Sequence, residues 1–408
     1  MTPNRLKEFA RATVLALLVG LLAGLAATLF LYSLDAATKA RLSHPYLIWF
    51  LPLAGLLIGW IFHRFGREII PGNNLILDEI HDPKKTIPFR MAPFILIGTV
   101  LTHLFGGSAG REGTAVQMGA SLADQVSHYF RLALHERKAL LVAGAGAGFG
   151  AAIGTPFAGV LFGIEVMRIG KLQAFAVWES LVAALFAYSV SVLLWAPHSF
   201  YPRLTLPTFA WRNLLGVLLV AICSGLMAWL FVKITHLIEV VEQRWLPKPE
   251  WKPFFAGIVI VGLYQFINPE IYAGLGIPVI QEALRGSTEI QVPFVKALMT
   301  ALTVGSGFKG GEFIPLVFIG TTLGSATAVV LHAHVGLLAS VGFAAVFGAA
   351  SNTPIACSVM AMEVFGFDAG LYFVLGCLIA YFCSGRATIY RSQPSGKKMW
   401  WYPSINFD

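Results

Sequence analysis

The residues from Gly106 to Gly113 (GGSAGREG) set an arginine and a glutamate inside a glycine-rich break in an otherwise apolar region. Glycines leave backbone N–H groups accessible, and a helix starting behind them points its positive end into the break. Such a start attracts an anion without a full positive charge. A second segment, Gly305 to Pro315 (GSGFKGGEFIP), repeats the arrangement around Gly311, with Pro315 suited to a first helical turn. Gly72-Asn73-Asn74-Leu75-Ile76 offers a third helix start. One such segment is as well explained by close helix packing. Three of them, two in matching positions of a repeat, point to an anion site in which Gly110, Arg111, Gly113 and Gly311 take part.

Glu112 carries the other half of the chemistry. A carboxylate at membrane depth is costly and marks function by default. Ionised, it competes with an anion for the same N–H donors; protonated, it withdraws and carries a proton. It can therefore serve as gate and proton carrier together. The alternative is a salt bridge to Arg111, disfavoured because adjacent residues do not face each other on a helix.

These segments need a frame that holds them in a bilayer. The chain has 408 residues, 57% hydrophobic and 12% charged, against about 25% charged in soluble domains. No Asp, Glu, Lys or Arg lies between Arg11 and Asp35, Lys138 and Glu165, Glu179 and Arg203, or Glu312 and Glu363. Each run is long enough for a crossing of about 20 residues, and the last for two. Polar breaks fall near 35–45, 64–90, 198–212, 237–252 and 268–293. The stretches 92–120 and 297–320 are too short or too glycine-rich to be simple spans.

The net charge of +8 sits at span ends, with Arg5, Lys7 and Arg11 before the first run and Arg386, Arg391, Lys397 and Lys398 after the last. That placement puts both termini in the cytoplasm and argues against nucleic acid. Cys223, Cys357, Cys377 and Cys383 show no paired spacing and suggest neither disulfide nor metal site. No metal or organic cofactor and no enzymatic activity is expected.

Residues 147–167 and 345–365 are identical at ten of twenty-one positions at an offset of 198, including Thr155/Thr353, Pro156/Pro354 and Glu165/Glu363. The same offset aligns Gly107, Ser108, Arg111 and Gly113 with Gly305, Ser306, Lys309 and Gly311. Residues 72–80 match 274–283 more loosely. The chain thus reads as one transmembrane domain, with a first repeat near 1–205, a second near 206–392, a short basic tail at 393–408 and no regulatory domain. Transporter repeats often enclose the substrate between broken helices. Glu165 and Glu363 fit structural roles at helix ends.

Gly106 to Gly110 also fits G-x-S-x-G, with His103 nearby, so an intramembrane serine protease is the distant alternative. The repeat mate of Ser108 at Ser306 argues against a single nucleophile. His135-Glu136 lacks the second histidine of a metalloprotease motif, since Ala139 stands there.

The segments GNNLI (72–76), GREG (110–113), PFAGVLFGIE (156–165), GGEFIP (310–315) and GRATIY (385–390) together resemble the CLC family of chloride channels and anion/proton antiporters. The resemblance covers nearly the whole chain. It implies an all-α polytopic membrane protein of two inverted repeats with broken helices, a homodimer with one pore per subunit. It assigns gating to Glu112 and the central anion site to Gly72, Asn73, Phe313, Ile314 and Tyr390, with Asn74 beside them.

The departures from the chloride-type pattern bear on substrate. Asn73 replaces the serine of GSGIP, Thr114 replaces the proline of GREGP, Val166 stands where the intracellular proton glutamate would fall, and Glu312 is an added acid. Together they resemble the fluoride-exporting branch, so a fluoride/proton antiporter of the bacterial inner membrane is expected, with a chloride/proton antiporter or chloride channel as the alternative. Fluoride is small and tightly hydrated, and stripping its water needs strong close donors. Asn73 can offer N–H and Tyr390 O–H, although Asn73 could instead cap a helix. Glu312 could relay protons or cap the helix that follows it.

Overall fold

The computed structural model describes residues 3–205, 210–246 and 248–394. Among these the chain is built of α-helices joined by short 3-10 turns, with no strand. The first half holds α1 (Pro3–Ser43), α2 (Leu51–Phe65), α3 (Asn73–His81), α4 (Met91–Leu104), α5 (Glu112–Tyr129), α6 (Leu134–Ile153), α7 (Pro156–Glu165) and α8 (Val177–Leu193). The second half holds α9 (Trp211–Trp245), α10 (Lys252–Leu263), α11 (Pro269–Tyr272), α12 (Ile277–Ala283), α13 (Val292–Gly305), α14 (Phe313–Leu331), α15 (Val335–Ser351), α16 (Pro354–Phe365) and α17 (Gly370–Cys383). The halves meet near 206–209, which lie outside the described residues, as does the expected tail from 395 onward.

Five segments are long and apolar enough to cross a bilayer, those at 6–43, 45–65, 174–193, 211–245 and 313–331. Their outer faces expose large apolar side chains, among them Leu29, Trp49, Trp60, Leu215 and Trp229. The glycine-rich stretches are indeed broken: α4 and α5 are separated by residues 105–111, and α13 and α14 by 306–312. The expected breaks at 35–45 and 237–252 differ from the structure. There α1 and α9 continue as helix through polar sequence, because backbone hydrogen bonding is indifferent to the side-chain environment. At 41 residues α1 is roughly 60 Å long at 1.5 Å per residue, so its polar end extends beyond a bilayer's apolar core, supported by the Asp35–Lys39 pair at 2.7 Å.

The repeat is inverted, and two sets of reciprocal bonds show it. The Glu165 carboxylate at the end of α7 accepts from the Ile355 and Ala356 amides that open α16, at 3.0 and 2.7 Å. Glu363, near the end of α16, accepts from Phe157 and Ala158 at the start of α7, at 3.2 and 2.7 Å. Gly110 and Gly311 also exchange hydrogen bonds as an antiparallel bridge, at 2.5 and 2.8 Å. Each half thus gives the other what it receives, about a twofold that sets α7 and α16 antiparallel.

One alignment is corrected. The offset of 198 holds for α7 and α16, but α4, α5 and the start of α6 match α13, α14 and the start of α15 at 201. The difference arises because α15 is three residues shorter than α6, at 17 against 20. Gly106 and Gly307, both at positive φ (85° and 94°), are therefore counterparts, Arg111 matches Glu312, and Ser108 matches Lys309 rather than Ser306.

Small residues close the seams. A Cβ on Gly144 would lie 2.5 Å from the Gly119 carbonyl, and their counterparts Gly342 and Gly320 meet the same way. Phe149, Phe162 and Phe347 stack across the centre, Phe149 on Phe162 at 4.1 Å, and Phe313 meets Phe149 and Phe347 edge-on. Replacing Glu165 by alanine leaves two amides at the start of α16 unpaired in a site that is 4% exposed. A stability loss of about 1–3 kcal/mol is expected, measured as a lower unfolding temperature in detergent. An unchanged temperature would refute the capping role.

Candidate anion site

Three helix starts converge. The ideal Cβ position of Gly113, at the head of α5, lies 3.1 Å from Gly311 Cα and 3.3 Å from the Asn73 amide nitrogen at the head of α3. That of Gly110 lies 3.1 Å from the Ile314 nitrogen in the first turn of α14. The first intrahelical bonds are donated by Ala115 in α5 and Leu316 in α14. The amides of Glu112, Gly113, Phe313 and Ile314 stand ahead of them, where helix starts leave donors unused. Their sum is a positive pole made of backbone.

Glu112 is fully buried at this pole. One carboxylate oxygen accepts from the Arg111 amide and the other from its Nε, each at 3.2 Å. The expectation that Arg111 and Glu112 would not meet is overturned. Arg111 is the N-cap and lies outside the helical turns, so the rule for helix faces does not apply to it. Its guanidinium also donates to Ser199 Oγ at 3.2 Å. Thr114 bonds Thr99 at 2.7 Å, hydroxyl to hydroxyl.

Asn73 is the first residue of α3, behind an N-cap at Gly72 that makes no side-chain capping bond. Its side-chain oxygen is buried without a partner. The helix-cap alternative is thereby removed. Asn74 is spent differently, its side-chain oxygen accepting from the Ser392 amide at 3.1 Å, which ties the segment carrying Tyr390. That segment is further held by Gln393, whose amide donates to Val166 and Ser351 carbonyls at 2.8 Å each. The far end of α3 is fixed through Glu79, which with Asp124 holds Arg137 at 3.1 and 2.6 Å.

A cavity of about 420 Å³ leads to this place, lined among others by Gly72, Asn73, Gln117, Lys309, Glu312 and Tyr390. Asn73 and Tyr390 also line a small apolar void that includes Val166. Glu312 is the N-cap of α14, and its carboxylate makes no ion pair among the described residues. Phe313 turns its ring into the aromatic cluster, leaving only its amide for the site. Gln117 was not anticipated. It faces the cavity one turn beyond Gly113, with its side-chain oxygen buried and unpaired; a lone amide in an apolar helix face was the available signal. At the cavity mouth Arg391 pairs with Glu239, and Ser306 donates to Glu242 at 2.5 Å.

Ser108 and His103 do not form a serine–histidine pair. Ser108 Oγ bonds Thr300 at 2.9 Å, and neither ring nitrogen of His103 makes a hydrogen bond. This replaces the argument from Ser306, which the corrected alignment removes.

Comparison with known proteins agrees with this architecture. The family model described as voltage gated chloride channel matches residues 54–385. A chloride/fluoride channel protein of Pseudomonas syringae pv. tomato is 44% identical over 398 residues, covering 96% of this chain and 88% of that protein. The crystal structure of a CLC-type fluoride/proton antiporter matches with a TM-score of 0.92 at 33% identity, covering 97% of this chain and all of that one. A slow cyanobacterial Cl⁻/H⁺ antiporter shares the fold, with a TM-score of 0.80 at 21% identity over 92% and 94% of the two chains.

Proposed function

Since the chain belongs to the voltage gated chloride channel family, we propose that it is a fluoride/proton antiporter that exports fluoride from a bacterial cytoplasm and admits protons in exchange. The observation that carries this is the position of the Asn73 side-chain nitrogen, a donor at the head of α3 that lies beside Gly113 at the head of α5 on the wall of the cavity. A small anion resting there loses its water to short donors: backbone N–H groups, the Asn73 amide and the Tyr390 hydroxyl. Glu112 occupies the same positive pole when ionised and vacates it when protonated, so anion and proton exclude each other. The names of the relatives support fluoride, and the serine-to-asparagine exchange at 73 favours it over chloride.

In this reading Glu312 relays protons between the cavity and Glu112. It faces the cavity, whose wall Asn73 and Tyr390 share. Glu312→Gln keeps the shape of the side chain, which makes no capping bond, but removes the exchangeable charge. Proton-coupled fluoride flux is expected to fall by about 100-fold, the usual scale for losing an acid–base group; full retention would remove Glu312 from the proton path. We further propose that the protein works as a homodimer in the inner membrane with both termini cytoplasmic and a pore in each subunit. No covalent chemistry is involved.

In cells, expression in a bacterium lacking its own fluoride exporter is expected to raise the tolerated fluoride concentration, and Glu112→Gln to abolish that gain. No protection by the unaltered protein, once shown to reach the membrane, would count against fluoride export.

A further inference from the structure

Two cations stand where apolar sequence stops. No Asp, Glu, Lys or Arg lies between Lys138 and Glu165, and the crossing at 174–193 begins shortly after Arg168. Lys138 and Arg168 are therefore placed at the edge of the apolar layer, the level of lipid headgroups. There a second cavity opens, about 380 Å³ in volume, lined among others by His81, Lys138, Arg168, Gln173 and Phe175. None of its lining residues is acidic among the described residues.

The two cations are unspent. The Arg168 side chain makes no hydrogen bond or ion pair among the described residues, and its Nε is buried without a partner. Lys138 Nζ donates to the His81 carbonyl at 3.4 Å, one bond from a group with three donors. Both side chains are half-buried, and cations withdrawn from water without counter-charge are costly. A phosphate fits this lack, because a guanidinium matches it through two parallel hydrogen bonds.

The cavity is built from the backs of elements that carry the anion site. His81 ends α3, whose head carries Asn73, and its Nε2 donates to the Met167 carbonyl at 2.6 Å. Pro394, also on the wall, follows Gln393, whose amide holds the Val166 carbonyl beside Arg168. Gly170, at φ 71°, turns the chain, and the Gln173 amide returns to the Ile164 carbonyl at 3.0 Å. Leu172 and Phe175 are left 47% and 50% exposed at the rim. A free anion gains nothing from that apolar rim, whereas an acyl chain buries it.

We propose that this cavity holds the phosphate of an anionic phospholipid, with Arg168 bonding it in two places, Lys138 adding charge and the acyl chains lying over Leu172 and Phe175. The site does not depend on which halide the protein carries. A bound headgroup ties the end of α3 to the segment after Tyr390, so it stabilises the folded protein.

The test is the unfolding temperature of the purified protein in detergent as phosphatidylglycerol is added, against phosphatidylcholine of the same chains and against inorganic phosphate. Phosphatidylglycerol is expected to raise the temperature and the other two to leave it unchanged. Arg168→Gln should raise the half-effective phosphatidylglycerol concentration about tenfold, the scale of one hydrogen bond to a charged group. Lys138→Gln should act in the same direction, and Arg168→Lys should recover part of the loss. Lys85→Gln, which removes an exposed lysine outside this cavity, should respond like the unaltered protein. Each variant is compared with its own lipid-free value, and if Arg168→Gln does not fold, Lys138→Gln decides. No rise with phosphatidylglycerol, an equal rise with phosphatidylcholine, or an unchanged half-effective concentration in Arg168→Gln would overturn the site. An equal rise with inorganic phosphate would assign the cavity to a free anion and overturn the lipid.

Discussion

Glu112→Gln is expected to lower proton movement by about 100-fold or more, the scale on which a positioned acid–base group contributes, and to free residual fluoride flux from the pH gradient. The expectation follows from where the carboxylate sits. It is fully buried and bonded to the Arg111 amide and Nε, at the head of a helix whose first amides attract negative charge. Glutamine retains the size and can still accept from Arg111, but it cannot ionise or deliver a proton. Arg111 also loses its buried counter-charge, a change that costs about 3–5 kcal/mol in other buried pairs, so the variant should unfold at a lower temperature. Flux is therefore compared per folded protein. Proton movement at the unaltered rate would remove Glu112 from the proton path.

Asn73→Ser is expected to narrow the preference for fluoride over chloride by about 10- to 100-fold, since a hydrogen bond to a charged group contributes about 1.5–3 kcal/mol. The side-chain nitrogen lies beside Gly113 in the gap between helix heads, and the side-chain oxygen has no partner among the described residues. Serine shortens the reach and offers a single O–H. The larger, less hydrated chloride loses less by the change. Halide competition in liposomes reads this directly; an unaltered ratio would make Asn73 a bystander to selectivity.

Much of this was legible in the residues. Thr155-Pro156 and Thr353-Pro354 announce helix starts, and the glycine breaks at 106–111 and 307–311 announce interrupted helices. The matched glutamates 165 and 363 anticipate the reciprocal caps. What sequence could not give was register. A three-residue difference between α6 and α15 hides in apolar helix, where alanine and glycine align at several offsets, and it misplaced the partners of Arg111 and Ser108. Nor could adjacency along the chain reveal that Arg111 stands outside α5 and folds back on Glu112. Gln117 was silent for a related reason: it is a single polar side chain whose meaning depends on residues brought to it from the other repeat.

Purified protein in liposomes, loaded with fluoride or chloride and followed with a halide electrode and a pH electrode together, tests the central claim most directly. The account predicts fluoride efflux matched by protons entering at a fixed ratio, with chloride at least about tenfold slower, roughly 1.4 kcal/mol of discrimination. Chloride moving as fast as fluoride, or fluoride leaving with no proton movement, would contradict it.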